Sequence, residues 1–310
     1  MEVPDPSPGP AEVVIEIHAT ALNRADLLQR RGLYPPPAGS TDILGLECSG
    51  VVRELGPGCS GSVRLGDRVM VLLGGGGYAE RVAVPEALTM KIPDSLSFEQ
   101  AAAIPEAFLT AREALFAAGK LSGTETVLIH AAAGGVGSAA VQLAHLRGAR
   151  VFATAGGAAK CEWVRALGAE LVVDYKSQDF AAIIQARTAG RGVDVILDFV
   201  GAAYADQHAA CLATRGRQVL IGLLGGARAS IDLGRLLQKR QSLVGVVMRS
   251  RGTEEKIELT RAFVRSTLPL FANGRLKPLV DSVFPLGDVA RAHQRMEANE
   301  NLGKIVLKVR

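Results

Sequence analysis

The chain has 310 residues, 48% hydrophobic, 21% charged and 5% aromatic, a balance that excludes a disulfide-stapled miniprotein and a disordered tail and leaves room for about two globular domains. The net charge is +4, with no block of like charges, so nucleic-acid binding is not expected on charge grounds. Glycine is the outlier at 35 residues. It has no three-residue period, which excludes collagen, and falls in clusters at Gly74 to Gly77, Gly134-Gly135-x-Gly137, Gly156-Gly157 and Gly225-Gly226.

The opening MEVPDPSPGP is acidic and proline-rich, unlike a secretory or transit leader. Val13 to Ala19 alternates apolar and polar residues and reads as a half-buried strand. Ala21 to Arg30 has helical character, ending before Gly32. Further strands are expected at Leu46 to Leu55, Arg68 to Leu73 and Tyr78 to Val84, separated by Gly56-Pro57-Gly58 and Gly66-Asp67. Residues 1–100 thus read as a β-rich, barrel-like domain. Alanine-rich helices follow at Ser97 to Ala103 and Pro105 to Ala118. From Thr126 the pattern is βα alternation: strands at 126–129, 150–154, 171–174, 193–199, 218–221 and 242–247, with helices at 136–147, 158–167 and 180–189. Apolar runs between amphipathic helices imply an α/β fold with a doubly wound parallel sheet over residues 101–247. Residues 248–310 carry a long helix at 254–273, another at 290–300 and a last strand at 304–309, and are expected to return to the first domain. Thr126 to Leu146 lacks a formal charge over twenty-one residues. Its central glycines fit strand, turn and helix better than a membrane span. The four cysteines, at 48, 59, 161 and 211, have no CxxC spacing, so a metal site is not expected. Free thiols fit a reducing, cytoplasmic compartment.

The sharpest motif is Val127-Leu128-Ile129-His130-Ala131-Ala132-Ala133-Gly134-Gly135-Val136-Gly137. A buried strand enters a turn of small residues and then a helix. Ala132, Gly134 and Gly137 hold the positions of GxGxxG, with alanine at the first. Small residues let the backbone of Ala133, Gly134, Gly135, Val136 and Gly137 approach a pyrophosphate, which the helix N–H groups would bind. The alternative is a plain βα turn. The second strand ends at Ala155-Gly156-Gly157 without the carboxylate that holds an NAD ribose. Lys160 follows and Tyr175 ends the next strand, so NADPH is expected over NADH. Lys160 could equally open a helix in solvent, and Tyr175 could be a plain surface tyrosine. Gly201, after Asp198, and Gly222-Leu223-Leu224 end strands and are expected to border the nicotinamide, or to be ordinary loops.

Taken in order, several motifs resemble the medium-chain dehydrogenase/reductase superfamily, in its zinc-free NADPH:quinone oxidoreductase branch. They are Ala21-Leu22-Asn23-Arg24-Ala25-Asp26, Gly45-Leu46-Glu47-x-Ser49-Gly50, Gly66-Asp67-Arg68-Val69, Ala101-Ala102-Ala103-Ile104-Pro105 with Thr110-Ala111, the 130–137 turn and Gly303-Lys304-Ile305-Val306-Leu307. The resemblance spans essentially the whole chain. It implies a GroES-like β-domain built from both chain ends, with a Rossmann domain between. It implies that Asn23, Asp26, Tyr34 and Thr110 line a cleft near the nicotinamide, which makes Asn23, Asp26 and Tyr34 the candidate catalytic residues; the competing reading is capping and helix–barrel hydrogen bonds for the first two and loop packing for Tyr34. It also implies that Lys160 and Tyr175 hold the 2′-phosphate and that Lys304 lies near the cofactor. Zinc-dependent relatives carry Gly-His-Glu where this chain has Gly45-Leu46-Glu47, so catalytic zinc is not expected. Relatives also begin with a further strand hairpin ahead of the segment matching Glu2-Val3-Pro4, so the first domain is expected to be the less complete one.

The expected activity is NADPH-dependent reduction of quinones, which accept hydride or electrons without a Lewis acid. An enone or enal double-bond reductase is the second reading. An NADPH-binding regulatory or RNA-binding protein is the third, and the missing basic or aromatic patch argues against it. The apolar strand at 242–247 would need cover as a sheet edge, so a homodimer or tetramer through Rossmann-sheet edges is expected.

Overall fold

A computed structural model describes residues 2–310. In chain order the strands and helices are β1 (Glu12–Ala21), α1 (Arg24–Arg30), β2 (Glu47–Leu55), β3 (Arg68–Leu72), β4 (Arg81–Pro85), β5 (Met90–Lys91), α2 (Phe98–Ala102) and α3 (Pro105–Arg112). Then come β6 (Thr126–Ile129), α4 (Gly135–Leu146), β7 (Arg150–Ala155), α5 (Ala158–Ala166), β8 (Leu171–Asp174), α6 (Phe180–Arg187), β9 (Val193–Asp198), α7 (Ala205–Cys211), β10 (Leu212–Leu220), α8 (Leu233–Lys239) and β11 (Ser242–Gly245). The chain ends with α9 (Thr253–Ser266), α10 (Leu268–Ala272), β12 (Val280–Pro285), α11 (Val289–Glu297) and β13 (Lys304–Lys308). These elements form two compact units, residues 1–109 with 248–310, and residues 110–247.

The first unit holds a seven-stranded sheet in the order β12-β13-β1-β2-β3-β5, with β4 also on β1. β1 organises it. Residues 13–20 pair with β2, while residues 12–16 pair with β4 and residues 19–21 with β13. One face of β1, Val13, Ile15 and Ile17, packs against Cys48, Val52, Val69 and Val71. Farther along, Ala19 and Ala21 meet Ala102 and Ala103 from α2. Both faces are covered, so β1 is buried almost throughout rather than half-buried as its alternation suggested. Polar Glu16 is tolerated on β1 because Arg53 Nη2 lies 2.7 Å from its carboxylate, and that contact holds the carboxyl below its usual range.

The second unit is a six-stranded parallel sheet in the order β11-β10-β9-β6-β7-β8. Leu128, Phe152, Val173 and Ile196 from its strands pack against Phe180 and Ile184 of α6. The chain winds outward from β6 through β7 to β8, then restarts at β9 beside β6. This reversal is the switch point at which doubly wound sheets bind ligands. The expected α/β class and β-rich first domain are thus both present.

Three sequence expectations about elements are corrected. The helix read over 254–273 is two helices, broken at Thr267, because Pro269 in the first turn of α10 cannot donate its backbone to a continuing helix. β10 begins at Leu212, not 218. Arg215, at φ 64, adds an irregular stretch in which the chain advances from 212 to 217 while β9 advances from 193 to 195. β12, absent from the sequence reading, pairs in parallel with β13.

Candidate active site

In the second unit the glycine turn follows β6. Ala131 takes φ 47 to start it, and Gly134 N donates to Ala131 O at 2.9 Å. α4 then begins at Gly135. Gly134, Gly135 and Val136 are partly exposed, whereas Ala133 and Gly137 are buried. A Cβ on Gly137 would lie 2.3 Å from Ala131 O and 2.7 Å from Ala132 Cα, so only glycine lets the helix start sit against the turn. The first N–H groups of α4 have no carbonyl ahead of them in the helix and form an anion cradle.

At the end of β7, Gly156 lies under two side chains. A Cβ there would meet Tyr175 Oη at 2.8 Å and Lys176 Cε at 3.1 Å. Lys160 sits in the first turn of α5, partly buried. The structure therefore brings Tyr175 over the Gly156-Gly157 turn at the end of β7, with Lys160 three residues on in the first turn of α5. It adds Lys176, which the sequence reading missed because it follows the strand by two residues. It also adds Asp174, whose carboxylate accepts Gly157 N at 2.9 Å and Lys176 N at 3.0 Å. These two N–H groups hold its carboxyl below the usual range. This carboxylate braces the Gly157 turn, where φ is +94.

Two further loops are sewn together at the neighbouring strand ends. Gly225 N bonds Val200 O at 2.7 Å, Ala202 N bonds Gly226 O at 3.0 Å, and Asp198 Oδ1 accepts both Val200 N and Gly201 N. Gly201 and Gly222-Leu223-Leu224 thus form one surface. Leu223 and Leu224 are more than half exposed on it. Thr110, at the start of this unit, is 4% exposed and its Oγ1 has no hydrogen-bond partner. A buried hydroxyl in that state is suited to a ligand amide. The cradle, Lys176 and Tyr175 at Gly156 and the orphan hydroxyl each suit a dinucleotide.

The first unit carries a buried polar cluster around Glu47, which is fully buried on β2. Glu47 Oε1 accepts Asn23 Nδ2 at 2.9 Å and Lys304 Nζ at 2.7 Å, and Oε2 accepts the Glu106 N–H at 2.8 Å. Lys304 also donates to Leu22 O at 2.7 Å and Asn23 Oδ1 at 2.6 Å. All three of its ammonium donors are thereby engaged inside this unit. Lys304 is thereby the counter-ion to Glu47. Asn23 precedes α1, and its N–H is capped by Asp26 Oδ2 at 2.7 Å. The capping role weighed for Asp26 is therefore observed, and Asn23 adds a bridge from Glu47 to Lys304.

Asp26 is completely buried. Burial pushes its carboxyl up to about 6 despite the Asn23, Tyr78 and Gly45 donors and the nearby Lys304 charge. Tyr78 Oη donates to Asp26 Oδ2 at 3.1 Å and lies 3.2 Å from His293 Nε2. Arg30 Nη1 is 3.0 Å from His293 Nδ1. Since guanidinium can only donate, Nδ1 is the acceptor and Nε2 carries the hydrogen, giving one directed chain from Arg30 through His293 and Tyr78 to Asp26. Glu106, at the start of α3, is pushed up to about 8 by burial and by the Glu47 charge. Tyr34 stands apart from Asn23 and Asp26. Its ring lies under the Arg249 guanidinium at 5.3 Å, and its carbonyl accepts Arg249 Nη1 at 3.2 Å.

Where zinc-dependent relatives carry histidine, Leu46 is 2% exposed and offers no donor. Among the described residues no three His, Cys, Asp or Glu side chains converge to hold a metal. Nor is any helix among them long and apolar enough to cross a membrane.

Comparison with known proteins agrees with both units. Residues 9–94 match the alcohol dehydrogenase GroES-like domain family, and residues 135–264 match the zinc-binding dehydrogenase family. The human synaptic vesicle membrane protein VAT-1 homolog is 36% identical over 97% of this chain and 80% of its own length. A phenolphthiocerol/phthiocerol polyketide synthase of Mycobacterium tuberculosis is 35% identical over 96% of this chain, which spans 14% of that protein. Among solved structures, a Pseudomonas syringae pv. tomato quinone oxidoreductase superposes with a TM-score of 0.90 at 32% identity, covering 100% of this chain and 94% of the other. A mycobacterial protein complexed with NADPH gives 0.89 at 32%, covering 100% and 95%. The JamJ enoyl reductase gives 0.88 at 28%, covering 99% and 94%. With these likenesses over both units, the chain belongs to the medium-chain dehydrogenase/reductase superfamily of oxidoreductases, in its zinc-free quinone oxidoreductase-like family.

Proposed function

We propose that the protein is an NADPH:quinone oxidoreductase. The observation that carries the nucleotide half is the edge at Gly156. No side chain of β7 offers a carboxylate to a ribose there, Asp174 is already committed to two backbone N–H groups, Lys176 and Tyr175 lie over Gly156, and Lys160 follows in the first turn of α5. The acceptor class is supported by the solved quinone oxidoreductase at 32% identity. When bound, NADPH supplies the hydride or electrons. The chain's residues bind and orient: the α4 N–H groups neutralise the pyrophosphate, Lys160 and Tyr175 take the 2′-phosphate, and Thr110 Oγ1 receives the nicotinamide amide. Asn23 and Asp26 hold the α1 end of the first unit in place, and Tyr34 orients an acceptor carbonyl.

The test is NADPH oxidation followed at 340 nm with 1,2-naphthoquinone and a set of enones. Turnover of the enones alone would replace this reading with the double-bond reductase, which the enoyl reductase neighbour supports. In parallel, Lys160→Ala should weaken NADPH at least about tenfold more than NADH, about 1.4 kcal/mol of discrimination, and equal losses would overturn the cofactor assignment.

We further infer a homodimer in the cytoplasm, paired through the Rossmann-sheet edge. β11 ends the sheet, and Leu243 on it is about half exposed, as are Leu233 and Leu237 of α8 to a greater degree. An open apolar edge of this kind needs cover. Light scattering that gives a monomer mass at micromolar protein would refute the pairing.

A further inference from the structure

Arg249 is 5% exposed, yet among the described residues no carboxylate pairs with it. It lies just before α9. Its Nε donates to Gly74 O at 2.8 Å and its Nη1 to Tyr34 O at 3.2 Å. Its own carbonyl is held by Lys256 Nζ at 2.8 Å. The Gly74 carbonyl is placed by the glycine run that follows β3. That run packs backbone to backbone, since a Cβ on Gly75 would lie 2.9 Å from Thr41 O. The guanidinium is thus fixed by two backbone carbonyls, and its own residue's carbonyl is held by Lys256. Its Nη2, however, is buried and makes no hydrogen bond. A buried cation whose donors are unmet is costly, by about 1–3 kcal/mol for an unsatisfied polar group and more for a charge.

The surrounding charge points to what would meet it. Tyr34 feels both Arg249 and Glu106, and Lys256 feels both as well. Glu106 keeps its proton at neutral pH, because burial and Glu47 push it up to about 8. Lys256 is lowered by burial, with Arg249 adding to this and Glu106 opposing it. Glu47 is taken up by Lys304 and Asn23. Arg251, the next arginine along, is paired with Glu255 at 2.7 Å. This leaves a fixed cation with one NH₂ group unpartnered and, among the described residues, no carboxylate against it.

We propose that Arg249 is the receptor for an anionic oxygen carried by the acceptor, so that the enzyme prefers acceptors bearing a carboxylate or a comparable oxyanion. A guanidinium held by backbone carbonyls is preorganised, and each charge-assisted hydrogen bond it makes to an anion is about twice as strong as a neutral one. Tyr34, stacked on the same guanidinium, places the rest of an aromatic acceptor beside it. This assignment rests on the reductase reading and names its acceptor class. The nucleotide's phosphates offer the same chemistry, so the experiment separates the two sources.

Rates of NADPH oxidation are compared for neutral 1,2-naphthoquinone and its 4-sulfonate, in wild type, Arg249→Gln and Arg249→Lys. The substitution to Gln should lower kcat/KM for the sulfonate at least about tenfold more than for the neutral quinone, mainly through KM, and Lys should restore part of the difference. Binding of redox-inert naphthalene-2-sulfonate to the wild type is measured by calorimetry. It should be detectable, competitive with the quinone sulfonate and lost in Arg249→Gln. An unchanged ratio between the two quinones, absence of naphthalene-2-sulfonate binding, or a loss that falls on the Kd for NADPH instead would each overturn the proposal. If the sulfonate binds and no quinone turns over, anion recognition stands and the quinone reading alone fails. The wild-type binding measurement also decides the matter should Arg249→Gln not fold.

Discussion

Glu106→Gln should stabilise the protein, and the gain should grow with pH. The folded Glu106 carboxyl titrates at about 8 against an ordinary 4.5. Its pKa is raised, so the folded state holds the proton more tightly than the unfolded chain. The associated stability is complete below about pH 4.5, falls as pH rises, and is lost once pH passes about 8. At 1.36 kcal/mol per pH unit, the penalty on the wild type is at most about 3 kcal/mol at pH 7 and about 5 kcal/mol above pH 8. The side chain is partly open to water, which screens it, and about half of each figure is a reasonable expectation. Glutamine is neutral and nearly the same shape, and the bond from the residue-106 N–H to Glu47 is kept. Urea unfolding of both proteins at pH 5, 7 and 9, followed by circular dichroism, reads the difference directly. Asp26 also titrates upward, at about 6, but it is present in both proteins and cancels. The variant should gain roughly 1.5 kcal/mol at pH 7, roughly 2.5 at pH 9 and almost nothing at pH 5. A difference that is constant with pH, or larger at pH 5, would refute the buried, charge-crowded reading of this carboxyl.

Two other outcomes follow from the same geometry. Lys304→Met leaves Glu47 buried without its cation and should cost about 3–5 kcal/mol in denaturant unfolding, and adding Glu47→Gln should recover a good part of it. Gly137→Ala should abolish NADPH binding by fluorescence titration, because its Cβ would lie 2.3 Å from Ala131 O, whereas Gly134→Ala, with 3.3 Å to the same oxygen, should retain it.

Much of the fold could be read locally. The run from Val127 to Gly137 carries strand, turn and helix signals within eleven residues, and the structure forms all three there. β12 escaped because Val280–Pro285 is only half covered and ends in proline, so it lacks the apolar run of a central strand. The start of β10 escaped because Arg215 and Arg217 interrupt its apolar pattern. The small-residue turns at the ends of β6 and β7 were legible for the same local reason. The Glu47 cluster was not: Asn23, Glu47, Glu106 and Lys304 meet only after the two chain ends pair, and no spacing announces that. Glu47 had a motif to mark it, but nothing marked it as the hub. Arg249 had no signal at all, because its meaning lies in the missing partner of one nitrogen.

The pairing of β1 sets an order of events during synthesis. β1 precedes β13 by nearly the length of both units, yet its residues 19–21 bond to that strand. Residues 110–247 are contiguous and can complete their own sheet as soon as they leave the ribosome. The first unit cannot, for its central strand waits with part of one edge open until β13 has been translated. Contacts of such separation form slowly, and an open edge invites pairing with other chains. Nascent chains should therefore depend on holding chaperones for the first unit and not the second, and loss of the last strand should cause aggregation rather than a smaller folded product.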